Sequence, residues 1–355
     1  MACGHDVLVL TTTANGKKEL DVKAKEIQIV NGVPVIYFKR LSKDHTHFSP
    51  ALLKYLWKNV KHFEIVHIHS WWNLVSVLAV FVCYLRRKKF ILSTRGTLNE
   101  FSLKKSIIRR AFIQCCNVTV FRNAVFHVTS KKEYAEVEKS IKRIPVIIPN
   151  IISLAHRNLI KKKQLLKLDL VFLGRLHPIK NLNLLLNALK NVDFDFNLHI
   201  AGDGEPEYVM QLKNQVIEND LESNCIWYGA IHDEKKKTEL LVNADLLVLL
   251  SSTENFANVV IESLAAGTPV LLSADVGLAD YVYKNKLGWI CRTEADDILR
   301  KLNEIHNSLN EILRINKEAP PLIQKDFDEV TLTNAYINLY FSIISNSKKT
   351  LLYNE

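Results

Sequence analysis

The chain has 355 residues, 48% of them hydrophobic and 24% charged, a balance that suits a soluble globular protein and excludes a disordered or fibrous one. That length accommodates two domains, each with its own core. A net charge of +10 points to an anionic partner, with nucleotide phosphates, an anionic membrane face and nucleic acid as the candidates.

From the N-terminus, Met1 to Asp6 carry no basic segment followed by an apolar run, so no export signal is expected. Short runs rich in Val, Ile and Leu then recur. Val7 to Leu10, Ile65 to Ile68, Phe90 to Ser93 and Val125 to Val128 read as strands of the first half. Leu168 to Leu173, Phe196 to Ala201, Cys225 to Tyr228, Leu246 to Leu250 and Pro269 to Leu272 read as strands of the second. Runs without polar alternation suit parallel strands covered on both faces, and their alternation with helix-length segments predicts doubly wound α/β architecture. The apolar stretch Leu74 to Leu85 falls short of the roughly 20 residues that span a bilayer. It ends in Arg86, Arg87, Lys88 and Lys89, which suit a helix C-terminus, so a helix packed on a sheet is expected there.

The strand series breaks once, between Pro149 and Leu168, where a basic stretch with Lys161, Lys162 and Lys163 reads as an interdomain linker. The final candidate helix, Val330 to Ile344, is set off by Pro320 and Pro321. Six cysteines, with Cys115 and Cys116 adjacent and no C-x-x-C, do not make a disulfide framework and read as reduced thiols of a cytosolic protein.

Two segments carry the chemistry. In Leu168 to Leu189 a buried strand ends at Gly174, Arg175 follows, and Pro178 precedes an apolar-faced helix. Open α/β sheets bind ligands at the carboxyl ends of their strands, beside helix N-termini. Arg175 and Lys180 fall in that crevice and suit phosphate oxygens, the first as a fork and the second as a point charge. In Leu246 to Val270 a strand runs into Ser251, Ser252, Thr253 and Glu254; a helix then begins near Phe256 to Asn258, carries Glu262 and breaks at Gly267. Glu254 in the loop and Glu262 on the helix suit sugar hydroxyls, because an ionised carboxylate accepts up to about four hydrogen bonds. The helix start suits a diphosphate.

These segments resemble glycosyltransferase family 4 of the GT-B fold, retaining enzymes that use nucleotide sugars. The family's G-R-L-x-x-x-K-N element is matched by Gly174 to Asn181, and its E-x7-E element by Glu254 to Glu262. Ala201 to Gly204 resembles the A-G-x-G turn, Tyr228-Gly229 the strand end that follows, and Ile148 to Asn150 the interdomain I-P-N. Ile65 to Trp72 and Ser93 to Gly96 resemble strand ends lining the family's cleft.

The resemblance implies two Rossmann-like domains facing across a cleft. Residues 1–152 are the acceptor-side domain, 153–325 the donor domain, and 326–345 a terminal helix crossing back. It implies that Gly174, Arg175 and Lys180 hold the donor diphosphate and that Glu262 holds the ribose. Glu254 then contacts the transferred sugar, and the backbone of Phe256, Ala257, Asn258 and Val259 binds sugar and phosphate. Glu254, Arg95 and His69 stand at the catalytic positions. It implies a UDP- or GDP-linked hexose as donor and a glycan or lipid-linked acceptor, in surface polysaccharide assembly such as capsule or lipopolysaccharide. No cofactor or metal is implied. The expected location is cytoplasmic, with peripheral contact at an anionic inner membrane face.

Four departures qualify the match. The family's opening strand, loop and helix are not found before Val7, so the first domain is read as incomplete, leaving a donor-binding chain without transfer as the alternative. Arg95 stands where a histidine is frequent, Ala257 where glycine is frequent, and Ile151 where glycine is usual. Asp193 to Asp195 and Asp326 to Asp328 spell D-x-D, but the first precedes a strand and the second reads as a helix cap, so neither is assigned a metal. His67-x-His69 lacks a third ligand, and Trp71-Trp72 reads either as acceptor-stacking or as packing. The basic clusters (Lys104-Lys105, Arg109-Arg110, Lys131-Lys132, Lys161 to Lys163, Lys235 to Lys237) are dispersed without a nucleic-acid motif, so no nucleic-acid partner is expected.

Overall fold

The computed structural model describes residues 4–16, 18–42, 44, 46–98, 106–153 and 167–352, with the backbone alone at 123 and 346–352. Lys104, Lys105 and the expected linker segment around Lys161, Lys162 and Lys163 lie outside the described residues. The chain divides into two compact units, the first formed by 1–128, 133–147 and 336–355, the second by 129–132 and 148–335.

The first unit carries β1 (Val9–Thr12), β2 (Ala14–Asn15), β3 (Lys18–Glu19), β4 (Ile27–Val30), β5 (Val33–Phe38), β6 (Val66–His69), β7 (Phe90–Ser93), β8 (Ala124–Val128) and β9 (Val146–Ile147). β6 to β9 form a parallel sheet in sequence order, while β1, β5 and β4 form a separate sheet. β1 is parallel to β5, and β4 antiparallel to it. The β4–β5 turn has Asn31 at φ 49° and Gly32 at φ 78°. An Asn-Gly pair with both residues at positive φ matches the right-handed twist of a two-residue hairpin. The helices are α1 (Pro50–Asn59), α2 (Leu74–Leu85), α3 (Ile107–Val118) and α4 (Lys131–Ile141). α2 is the helix that its apolar pattern predicts. The Asn73 side chain accepts from Ser76 N and so caps it, and Ala79, Val80 and Cys83 are buried.

In the second unit β10 (Leu168–Leu173), β11 (Phe196–Ala201), β12 (Cys225–Gly229), β13 (Leu246–Leu249), β14 (Val270–Ser273) and β15 (Gly288–Cys291) form a six-stranded sheet in the order β12-β11-β10-β13-β14-β15. All five pairings are parallel. Its helices are α5 (Leu182–Leu189), α6 (Pro206–Glu218), α7 (Glu234–Asn243), α8 (Asn258–Ala265), α9 (Ala279–Lys284), α10 (Ala295–His306) and α11 (Leu309–Asp326). β13 and β14 are buried throughout, as parallel strands covered on both faces must be. From β10 the chain steps outward through β11 and β12, then returns to the other side of β10 at β13. That reversal puts a switch point between β10 and β13, where loops diverge and leave a crevice at the strand ends.

Two expectations need correction. Pro320 and Pro321 do not set off the terminal helix; both lie inside α11, whose Ile315, Ala319 and Ile323 are buried. Tertiary burial of that face outweighs the backbone bonds a helix loses to proline. The terminal helix itself, α12, runs Glu329–Leu352, longer at its C-terminal end than the expected Val330 to Ile344. Asp328 caps it, accepting from Thr331 N at 2.8 Å and Thr331 Oγ1 at 2.7 Å.

Candidate functional site

The segment after β10 is stitched down on both sides of the switch point. Gly174 N donates to Ala201 O at 3.0 Å and Leu176 N to Asp203 O at 2.8 Å, which ties it to the A-G-x-G turn. A methyl group on Gly202 would sit 1.8 Å from Gly174 O, so only glycine lets the two backbones approach. On the other side Ser252 N donates to Ile179 O at 2.9 Å, and Asn181 Nδ2 donates to Leu250 O at 2.7 Å and Ser252 Oγ at 2.8 Å. Asn181 adopts φ 54°, a left-handed conformation that asparagine tolerates.

This stitching brings two of the sequence-predicted residues together. Lys180, at the end of a short 3-10 turn (Pro178–Lys180), forms an ion pair with Glu254 although they lie 74 positions apart. Glu254 is fixed by its backbone, since its N donates to Asp275 O at 3.2 Å and its O accepts from Gly277 N at 2.9 Å. Arg175 projects an exposed side chain with no ion-pair partner among the described residues. Glu262 lies on α8 and pairs with Lys237 at 3.1 Å. In the sequence Lys237 is one member of the basic cluster Lys235 to Lys237, and no local pattern shows that it meets a residue 25 positions away.

At the start of α8 Val260 N donates to Ala257 O at 3.0 Å, and the N–H groups ahead of it have no acceptors within the helix. Phe256 is buried against Phe327 with ring centroids 6.1 Å apart, so its side chain belongs to the core. Asn258 accepts a bond from Asn150 Nδ2 at 2.8 Å, which ties the I-P-N segment to this helix start. Val259 lies in the first turn of α8. Ala257, the N-cap, holds φ 67° and ψ 76°. A side chain costs roughly 1–2 kcal/mol in left-handed backbone, so Ala257→Gly is expected to raise unfolding stability, by up to about 1 kcal/mol after the entropic cost of glycine. Urea denaturation of the two proteins checks this. A cavity of about 600 Å³ lies elsewhere in this unit, lined by Asp169, His199, Tyr228 and residues of α7, and Gly174, Arg175, Lys180, Glu254 and Glu262 are not among its lining residues.

In the first unit, His69 ends β6 and Arg95 follows β7. Arg95 Nη2 lies 3.4 Å from His69 Nδ1, and the His67 and His69 rings stack at 4.3 Å. Arg95 sits at φ 51°. Its loop is held by buried Glu133, which accepts from Thr94 Oγ1 and Gly96 N, each at 2.6 Å. Desolvation, then the charges of Arg95 and His127, lower the His69 pKa to about 4. His69 is therefore neutral at pH 7.

His67 is bonded locally. Tyr340 Oη meets its Nδ1 at 2.9 Å, and Ser93 Oγ lies 2.6 Å from both its Nε2 and His127 Nδ1. His127 Nε2 meets Tyr336 Oη at 3.1 Å. The chain Tyr340–His67–Ser93–His127–Tyr336 thus holds α12 to the sheet, and one proton per link satisfies it with both imidazoles neutral. Burial, followed by the charges of His69, His127 and Arg95, lowers the His67 pKa from 6.5 to about 2. Between those values the unfolded chain binds a proton that the folded unit does not. The contribution is complete above about pH 6.5 and is lost as pH falls. The urea midpoint is expected to drop between pH 7.5 and 5, with a shallower slope in His67→Asn.

Trp71 is fully buried, stacking on Phe112 and edge-on to Phe121, so it is packing and not an acceptor platform. Trp72 carries the Arg109 guanidinium 5.0 Å from its ring centroid. Among the described residues no cluster of three or more His, Cys, Asp or Glu could hold a metal ion.

Residues 157–320 match the family model described as glycosyl transferases group 1, and residues 1–156 match that of glycosyltransferase family 4. The fold is that of Anabaena Alr3699/HepE, solved with UDP and glucose, with a TM-score of 0.72 over 88% of this chain and 87% of that one at 17% identity. This chain belongs to the GT-B-fold glycosyltransferases. Its two units are the two Rossmann-like domains of that fold. An uncharacterized 41.2 kDa protein in the cps region of Klebsiella pneumoniae is 22% identical over 86% of each chain. The N-acetyl-alpha-D-glucosaminyl L-malate synthase of Bacillus anthracis is 23% identical over 50% of this chain, and the match spans 46% of that enzyme's length.

Proposed function

We propose that this GT-B glycosyltransferase is a retaining enzyme of family 4 that transfers a hexose from a UDP- or GDP-linked donor to a glycan or lipid-linked acceptor of a surface polysaccharide. The observation that carries the donor reading is the Lys180–Glu254 ion pair across the β10/β13 switch point, with Arg175 just after β10 and Glu262 on α8, the helix that follows the Glu254 loop. Cations and free N–H groups there suit a diphosphate, and the carboxylates suit hydroxyls. UDP and glucose in the Anabaena structure, and the cps-region relative in Klebsiella pneumoniae, support the donor class and the setting.

In this reading Arg175 and Lys180 stabilise the charge that grows on the departing nucleotide, an electrostatic role. Glu254 holds the transferred sugar and Glu262 the ribose. Arg95 and neutral His69 act toward the reacting sugar. Retention proceeds from the front face, the departing phosphate taking the acceptor's proton. Thermal shift with UDP and GDP, followed by assays of UDP-glucose and GDP-mannose turnover, tests the reading. Stabilisation by a nucleotide with no turnover of either donor or any acceptor would make the chain a binder without transfer. No stabilisation by either nucleotide would remove the donor site.

We further assign the acceptor side to an anionic membrane face. Trp57 on α1 is 42% exposed and Leu85 on α2 is 63% exposed. The Arg86 guanidinium lies 5.1 Å from the centre of the Trp57 ring, with Arg87, Lys58 and Lys61 close by in sequence. An exposed indole beside several cations suits the headgroup layer, where each cation near an anionic surface contributes about 1 kcal/mol. Wild type is expected to sediment with phosphatidylserine vesicles and not with phosphatidylcholine vesicles. Arg86→Glu with Arg87→Glu is expected to lose at least tenfold in partitioning, and equal sedimentation with both lipids would sink the assignment.

A further inference from the structure

The nucleotide reading leaves Lys237 without a task, yet it is one of two lysines locked onto the site's glutamates. It projects from α7 toward α8, and its Nζ lies 3.1 Å from Glu262 Oε1. The same ammonium reaches Glu234 at 2.7 Å to Oε2 and 3.0 Å to Oε1. The surroundings of the two contacts differ. The Lys237 and Glu262 side chains are 16% and 17% exposed, whereas that of Glu234 is 78% exposed. Burial works to lower the Lys237 pKa, but hydrogen bonds and charge from Glu234 and Glu262 outweigh it, so the ammonium stays charged.

We propose that Lys237 is a positioning residue that presents Glu262 to the nucleotide ribose and thereby sets discrimination between ribonucleotide and 2′-deoxyribonucleotide. The inference rests on the donor reading above. A glutamate on a helix has three rotatable side-chain torsions and must be ordered to grip a diol, which costs entropy. Lys237 meets that cost before the ligand arrives. Because it occupies Oε1, it leaves Oε2 and the remaining lone pair of Oε1 for hydroxyls. It also neutralises a carboxylate that stands in the same site as a diphosphate, where uncompensated negative charge would repel the donor. The Glu234 contact is exposed, solvent-screened and separate from Glu262, so it serves as an internal control.

The test is calorimetric titration of wild type, Lys237→Met, Lys237→Arg, Glu234→Gln and Glu262→Ala. The probes are UDP, GDP, their 2′-deoxy counterparts and inorganic pyrophosphate. A hydrogen bond from a ribose hydroxyl to a buried charged group gives wild type an expected preference of about 10- to 100-fold for the ribonucleotide it binds. Lys237→Met is expected to bring that ratio close to the value for Glu262→Ala while pyrophosphate affinity changes less than threefold. Lys237→Arg recovers part of the ratio, and Glu234→Gln keeps the wild-type ratio.

The proposal is overturned if Lys237→Met keeps the wild-type ratio, or if it weakens all probes equally, which is a bulk charge effect. Circular dichroism and melting of Lys237→Met separate loss of positioning from loss of fold, and Lys237→Arg carries the test if the methionine variant melts early. Failure of the underlying donor reading looks different: wild type binds no nucleotide, or Glu262→Ala leaves affinity and ratio unchanged, and either result overturns both.

Discussion

Lys180→Ala is expected to lower sugar transfer by about 10²- to 10³-fold, chiefly in kcat, the scale seen when one preorganised donor to a developing anion is removed. The effect has two parts. In the proposed donor site, the ammonium that would stabilise the departing diphosphate is gone, and Glu254 is left as an unpaired carboxylate where a dianion would have to be accepted. Both side chains of the pair are largely shielded, at 17% and 23% exposure, so solvent does little to screen the new charge. Lys180→Arg keeps the charge but not the reach, and is expected to fall between the two. The measurement is initial rate against donor concentration for the three proteins. An unchanged kcat with only KM raised would mean that Lys180 binds ground state and transition state alike and takes no part in leaving-group departure.

Trp71→Ala is expected to cost about 3–5 kcal/mol in the first unit, the range for deleting a buried aromatic side chain. Trp71 is 0% exposed and wedged among Phe112, Phe121 and Trp72. Its Nε1 finds no hydrogen-bond partner among the described residues. Trp71→Phe therefore gives up volume but also removes an unsatisfied donor, and about 1–2 kcal/mol is the expected cost. Urea unfolding reads both variants. If Trp71 stacked on an acceptor instead, the alanine variant would melt like wild type and lose acceptor affinity.

The neighbouring positions show how far a sequence can be read. Trp71 and Trp72 are the same residue type side by side, and no periodicity distinguishes the core member from the one beneath Arg109. Burial decides it, and burial depends on α3, which packs from some forty positions downstream. The β4–β5 hairpin is the reverse case. Its Asn31-Gly32 turn between apolar runs is a local signal that chain-order reading passed over, because the strand series was built from apolar runs alone. The same omission missed β15, whose Gly288-Trp289 start breaks the apolar run.

Ala257 divides between the two kinds of information. The family resemblance places alanine where glycine is frequent. Only the structure shows that its backbone sits at φ 67°, so that the methyl group is a conformational cost at the first turn of α8. The cysteines behave similarly. The five cysteines among the described residues are free thiols, and burial pushes the Cys83, Cys225 and Cys291 thiols up to about 12, so these three stay protonated at neutral pH.

What the sequence determined by itself is the run of strands and the residues at their carboxyl ends. β7, β10 and β11 begin and end where their apolar runs do, and so does helix α2. Those features are local: a strand buried on both faces must be apolar along its length, and the first polar or glycine residue past it stands at the sheet's edge. Gly174, Arg175 and Glu254 are legible for that reason, whereas Lys180 and Glu262 lie further along and are legible through the family resemblance. What only the tertiary structure decided is which charges meet. Lys180 finds Glu254 because β10 and β13 are neighbours in the sheet, and Lys237 finds Glu262 because α7 lies against α8. Sheet order is set by packing between segments some 75 positions apart. No local pattern encodes it, and so the two ion pairs, Lys180 with Glu254 and Lys237 with Glu262, appear only in the folded chain.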